Sequence, residues 1–292
     1  MPGLFPPGFA QLSGDTETIS RFLNSPTYIE RTLRTLAQQM FVGDALLQGR
    51  AQSSGGSVLY EVNESIFADR NPLEAVNPGA EFPLSTTTPG TANIATVKKW
   101  GLDTLVTLEA IQRLRWNPVQ RGLLKLVNST VRHFDAVVIA AITASVTQTQ
   151  VAAGSWGGGT SNILLDLLSG VATIQNTVQG YNPDTILMNP TKYAAIMADA
   201  KLQAALRREN PANPVYSGQL GMVSGLDIMV SPNAPANPLI LDRSLLGSIV
   251  DERGFATGTN YDWETETWRL RAMRVSVPIV QEPRAAVFVT GS

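Results

Sequence analysis

The sequence predicts an α+β fold, and three observations predict it. Residues 117–146 carry the longest helical period in the chain, with apolar side chains at steps of three and four for seven turns. Two strand-like runs flank a proline-rich stretch, 65–95, that has no helical period. A middle block of short helices and strands is then followed by an end that alternates like a long strand.

The first fifty residues start rich in Pro and Gly and become helical. Ile29, Leu33, Leu36, Met40 and Phe41 take helix spacing within 27–47, so 1–50 reads as an arm leading into a helix. AQSSGG at 51–56 is a break. SVLYEVNESIF follows, strand-like by the alternation of Val58, Tyr60 and Val62. More than twenty residues, ADRNPLEAVNPGAEFPLSTTTPG, then carry four prolines and no helical period, unusual inside a compact domain, so the segment is disordered, functional or ordered by a partner. They suit an extended two-stranded loop, 51–96, and NIATVKKWGLDTLVTLEAI is its returning strand.

Asn117 and Pro118 suit the start of the long helix, which at about 1.5 Å per residue is a rod of roughly 43 Å. Its polar side carries Arg121, Lys125 and Arg132, with His133 flanking the apolar face. GSWGGGT at 154–160 is hinge-like. Residues 161–180 read as a helix ended by Gly180. YNPDTILMNPTKYAAIMAD reads as a buried strand running straight into a helix, and DAKLQAALRR continues helical. ENPANPVYSGQLG is a loop, GLDIMVS a strand, LILD a short strand, and RSLLGSIV a turn or short helix. Together 151–261 form an α/β unit. In the last segment, 262–292, Trp268, Leu270 and Ala272 alternate with Arg269 and Arg271, after which Met273, Val275, Val277 and Ile279 keep the other parity. That slip predicts a bulge near 272–274. The strand is expected to pair with 97–111, and both to lie against the long helix.

The chemistry is sparse. The chain of 292 residues has no cysteine and one histidine, His133, which excludes disulfides, thiolate sites and a His-rich metal site. A serine triad would need His133 as base, in the middle of a helix, and no G-x-S-x-G elbow exists. No G-x-G-x-x-G opens a helix. Asp251-Glu252 and Asp262, Glu264 and Glu266 read as solvated surface acids, and Asp227, Asp242 and Asp251 have no ligand spacing. No catalytic residue, cofactor or metal is expected. No uncharged apolar run of 18 residues exists and MPGLFPPGFAQLSGD has no signal character, so a soluble protein made in a cytoplasm, with no membrane partner, is expected.

Charge is uneven. Residues 51–96 hold Glu61, Glu64, Asp69, Glu74 and Glu81 against Arg70, a net of −4. Residues 97–135 hold seven bases, among them Arg113 and Arg115, against three acids, a net of +4. Such neighbours can neutralise each other within or between chains.

This order of elements resembles the tailed-bacteriophage major capsid protein, the Hong Kong 97-type fold. GLDIMVSPNAP, ILDRSLLGSIVDERGF and YDWETETWRLRAMRVSVPIVQEPRAAVFVTG are similar to the ends of actinophage-like capsid proteins. NPGAEFPL and VKKWGLDTLVTLEAI look like the family's loop and peripheral-strand segments. The resemblance implies a peripheral domain (97–150 with the spine helix, and 262–292) and an axial domain (151–261). The joint at 184–199 would be scaffolding in a wedge around fivefold and sixfold axes. The loop 207–221, with Arg207, Arg208, Asn213 and Tyr216, would lie near that axis. The loop 65–95 would reach over a neighbour, its acids Glu74 and Glu81 able to meet the basic region of Arg113 and Arg115 there, with Arg70 a further candidate contact. The implied function is an icosahedral shell of pentamers and hexamers around double-stranded DNA, in a virion made in a bacterial host's cytoplasm. DNA contact would be weak, since the chain is not basic overall. The loop 65–95 has no lysine, so the family's Lys–Asn crosslink is not expected. Only about fifty residues precede the loop, so any scaffolding protein is expected to be separate, as are portal and decoration proteins. The alternatives are an encapsulin-type nanocompartment shell and, more remotely, an α/β metabolic enzyme.

Overall fold

The structure is a computed structural model that describes residues 42–67, 75–113, 118–157, 161–199, 201–202 and 221–292, without the side chains of Arg113 and Gln120. The expected helix at 27–47 lies outside these residues up to position 41. In chain order the elements are α1 (Gly43–Leu46), β1 (Gly49–Gln52), β2 (Ser57–Val62), β3 (Thr91–Thr96), β4 (Lys98–Thr107), α2 (Leu108–Arg113) and α3 (Pro118–Ser145). They continue with β5 (Thr149–Val151), α4 (Ile163–Gln175), β6 (Thr185–Met188), α5 (Pro190–Ala198), β7 (Met222–Val223), β8 (Leu226–Val230) and β9 (Leu239–Leu241). The last are β10 (Gly247–Asp262), β11 (Thr267–Val280) and β12 (Ala286–Thr290). The strands form a four-stranded sheet, β1-β10-β11-β4, a six-stranded sheet, β5-β12-β9-β6-β8-β7, and the isolated pair β2-β3.

The helix α3 lies across β11 and β4, as the pattern predicted. Its buried face is Val119, Leu123, Leu126, Val127, Val131, Phe134, Val138 and Ile142. Each such side chain contributes about 2 kcal/mol of transfer free energy, so the helix is held by this face more than by propensity. Gly122 lets β4 come close: a Cβ there would sit 3.0 Å from the Thr104 methyl.

Strand β11 pairs antiparallel with β4 from Thr267–Thr107 to Ser276–Lys98 without interruption. The slip expected at 272–274 is therefore absent. The irregularities lie in β10, between Asp251 and Arg253 and between Arg253 and Ala256. The apparent change of parity arises because the inward positions after Ala272 are polar: Arg274 and Ser276 are buried in line with Leu270 and Ala272. A second expectation is corrected at RSLLGSIV, whose last four residues open the long strand β10 instead of a helix. Gly247 is required there, since a Cβ would stand 2.1 Å from the Ile279 carbonyl oxygen. Pairing also cuts across the division at 261/262. Strand β10 joins the sheet under α3, and β12 leaves the last segment to pair with β9 and β5.

In the six-stranded sheet β6 is buried at every position, between parallel β8 and antiparallel β9. The strand ends at Asn189, whose Oδ1 accepts the Lys192 N–H at 2.8 Å and caps α5, with Pro190 in its first turn. Helix α4 packs on β12, β9 and β5. Its buried Asp166 accepts the Trp156 indole N–H at 3.0 Å and the Ala153 N–H at 2.8 Å, which pins the start of the glycine-rich break. The pair β2-β3 runs from Ser57–Thr96 to Val62–Thr91, and residues 75–90 beyond it form no ladder.

Candidate assembly surface

Several acids among the described residues hold the fold together. Arg274, buried in β11, is held by Asp251 of β10 at 3.0 and 3.1 Å and by Asp44 of α1 at 3.0 Å, and its guanidinium lies 4.0 Å from the centre of the Phe134 ring. Burial opposes its charge, but the two carboxylates outweigh that and raise its pKa further. Asp251, expected on the surface beside Glu252, is thus a core partner. Asp135 of α3 accepts the N–H groups of Gly43 at 2.8 Å and Val42 at 3.3 Å, so one carboxylate caps α1 and ties it to the long helix. Burial pushes that carboxyl up, against the two backbone hydrogen bonds.

In the other sheet Arg243 bridges Asp184 at 2.8 Å and Asp227 at 2.9 Å, joining three strand ends. Asp242 accepts the Asn182 N–H at 2.9 Å and the Ser244 hydroxyl at 2.6 Å. Tyr181 donates to Glu282 at 2.7 Å, and burial together with that carboxylate raises its phenol. His133 stands exposed on the flank of α3, its ring 4.7 Å from that of Trp100. Among the described residues no three His, Cys, Asp or Glu side chains are grouped to hold a metal ion, and no helix is long and apolar enough to cross a membrane.

The strand pair leaves large apolar side chains in solvent. Leu59 and Ile94 lie directly opposite each other on the pair β2-β3 and are 70% and 73% exposed. Phe82 and Leu84, in the loop beyond, are 78% and 82% exposed. Large apolar side chains left this exposed on adjacent segments are the kind of surface that another protein covers. The alternation of Val58, Tyr60 and Val62 drew attention to one face of β2. Those three side chains are half-buried, whereas Leu59 on the opposite parity is exposed.

Of the charged residues expected at subunit contacts, Glu81 is exposed in the loop 75–90. Arg113 ends α2 with its side chain outside the described set. Arg70, Glu74 and Arg115 lie outside the described residues, as do Arg207, Arg208, Asn213 and Tyr216 of the expected axial loop.

Two sheets, a long helix and a separate strand pair with one bare apolar face are the frame of a structural subunit rather than of a catalytic site. Residues 90–289 match the family model described as phage capsid protein, and the chain belongs to that family. It is a major capsid protein, a subunit of the capsid shell and therefore of the virion, not an enzyme. The fold is also that of solved shells at low identity. The capsid of the cyanophage P-SCSP1u matches with a TM-score of 0.65 and 11% identity over 85% of this chain and 87% of that one. A virus-like particle from Pyrococcus furiosus matches at 0.64 and 12%, over 90% and 98%. Mycobacterium phage Che8 matches at 0.61 and 14%, over 86% and 91%. A search of curated proteins found no match. The family match favours a phage capsid over the nanocompartment alternative.

Proposed function

We propose that this subunit builds an icosahedral shell of pentamers and hexamers around the packaged double-stranded DNA of a tailed bacteriophage. The observation that carries this reading is the bare apolar pair Leu59 and Ile94 on a strand pair that belongs to neither larger sheet. In this reading the four-stranded sheet with α3 is the peripheral domain. The six-stranded sheet with α4 and α5 is the axial wedge, and the loop 207–221 lies near its symmetry axis. The loop 65–95 crosses a neighbouring subunit, with Glu74 and Glu81 facing Arg113 and Arg115 and Arg70 a further contact residue of the loop. DNA is held weakly and without sequence preference, because the chain's net charge is −2. Synthesis takes place in the host cytoplasm, and any scaffolding, portal or decoration protein is a separate partner.

Electron microscopy of the purified protein, with its size-exclusion profile, tests the reading. Closed shells, tubes, or rings of five and six support it; a 31.4 kDa monomer at every salt and protein concentration counts against it. Arg113→Glu is expected to weaken assembly, and Glu74→Arg or Glu81→Arg to restore part of it. Shells unaltered by Arg113→Glu refute the charge contact.

A further inference from the structure

We infer that the tip of the β10–β11 hairpin is a knob, anchored by Trp263, that seats in a basic-rimmed cavity of a second copy of this chain. The inference rests on the shell reading and names the residues of one contact within it.

Trp263 is 83% exposed. It is nonetheless held in place. Its ring stands edge-on to Tyr261, with centroids 4.7 Å apart at 87°, and Tyr261 lies 4.9 Å from Trp268. The turn beneath is braced by Asp262, which accepts the Glu264 N–H at 3.1 Å and the Thr265 hydroxyl at 2.9 Å, while the Thr265 and Thr267 hydroxyls meet at 2.8 Å. A large aromatic already fixed has little freedom left to lose on binding, which is the property of an interface anchor. Between positions 262 and 267 the tip carries Asp262, Glu264 and Glu266 and no base. It is an acidic knob.

The complementary feature is a cavity of about 610 Å³ between β4 and the start of α3. Val106, Ala110, Pro118 and Gly122 line it, and Arg121 and Lys125 supply its basic side. That volume lies within the roughly 300–1,000 Å³ range of pockets that bury drug-sized ligands, so an indole fits. A cation beside an indole face adds attraction, and the carboxylates of the tip meet the two bases.

Knob and cavity occupy the same end of the four-stranded sheet. Trp268 pairs with Val106, Thr267 pairs with Thr107, and the Glu266 carbonyl accepts the Leu108 N–H at 3.0 Å. A contact from the knob of one copy to the cavity of the next is heterologous, and repeating it generates a ring where the rotation closes.

The chain has no cysteine, so introduced ones report cleanly. Glu264→Cys and Lys125→Cys are made as separate full-length chains, co-assembled, and treated with a short bifunctional maleimide. Covalent dimers are expected in the mixed particles and not in particles of either variant alone. In parallel, Trp263→Ala is expected to keep the wild-type monomer Tm and to lower the sedimenting assembled fraction at least tenfold, with Trp263→Phe recovering most of it. Wild-type levels of assembly by Trp263→Ala, or mixed particles without the dimer, overturn the contact while leaving the shell reading intact. A wild-type chain that forms no particles even when its separate scaffolding partner is supplied overturns both.

Discussion

At the scale of single residues, most charge in the described structure is spent on holding segments together. Arg274 joins three parts of the chain: α1 through Asp44, β10 through Asp251 and α3 through Phe134. Removing one member of a buried ion pair leaves its partners uncompensated, at a cost of about 3 kcal/mol. Arg274→Ala is expected to lower stability by about that amount in urea unfolding; a change indistinguishable from zero would show that water reaches the cluster. Asp135 and Asp103 have opposite signs with pH. Asp135 is pushed up by burial, so ionising it costs stability, and that cost is relieved as pH falls through its raised value. Asp103 is held low by its hydrogen bonds to Arg271 at 2.7 Å, so its contribution is present above the ordinary carboxylate value and is lost as pH falls through the depressed one. With Tm followed from about pH 7 to pH 3, the gap between wild type and Asp135→Asn should widen on acidification and that for Asp103→Asn should narrow. Parallel gaps would contradict the assignment.

At the scale of elements, the sheet under α3 depends on one backbone approach. Gly247 opens β10 where a Cβ would press on the Ile279 carbonyl oxygen and the Val280 Cα at 2.1 and 3.0 Å. Gly247→Ala is expected to destabilise the chain by about 2 kcal/mol, since both obstacles are backbone and neither can rotate away. Thermal unfolding measures this, and an unchanged Tm would mean that the strand end shifts freely. The period of this strand is broken because its apolar run, Ile249 and Val250, gives way to Asp251, Glu252, Arg253 and Gly254, where the register shifts on both sides of Arg253 before it is regular again from Ala256. The bulged part has no period to detect. Helix α3, in contrast, kept its period for 28 residues and was legible to within a residue at each end.

At the scale of the whole molecule, the chain is stable enough to fold around two sheets yet leaves large apolar side chains in water. Leu59→Lys with Ile94→Lys is expected to change monomer stability by no more than about 0.5 kcal/mol, because neither side chain packs in the subunit core. The same pair of changes should abolish particle formation, because a lysine pair on that face must be desolvated in any contact. Particles of normal yield would show that this face stays in solvent after assembly.

Local pattern determined a good part of this protein. The helix period, the strand character of β4 and of the first half of β11, the Asn-Pro cap after β6 and the proline-rich loop all follow from side-chain spacing within one element, and the poverty of catalytic groups follows from composition alone. Tertiary structure decided what depends on distant neighbours. Arg274 reads as a surface base in its strand, and only Asp44, 230 positions away, together with Asp251 and Phe134, makes its inward position affordable. Strand β12 follows β11 in the chain but joins the other sheet, since its partners β9 and β5 are set by packing and not by adjacency. Trp263 looks like one more residue of an acidic turn until the fold places it at the same end of the sheet as a basic cavity. Periodicity reports which face of an element is apolar; what lies against that face is a property of the whole chain and of its copies.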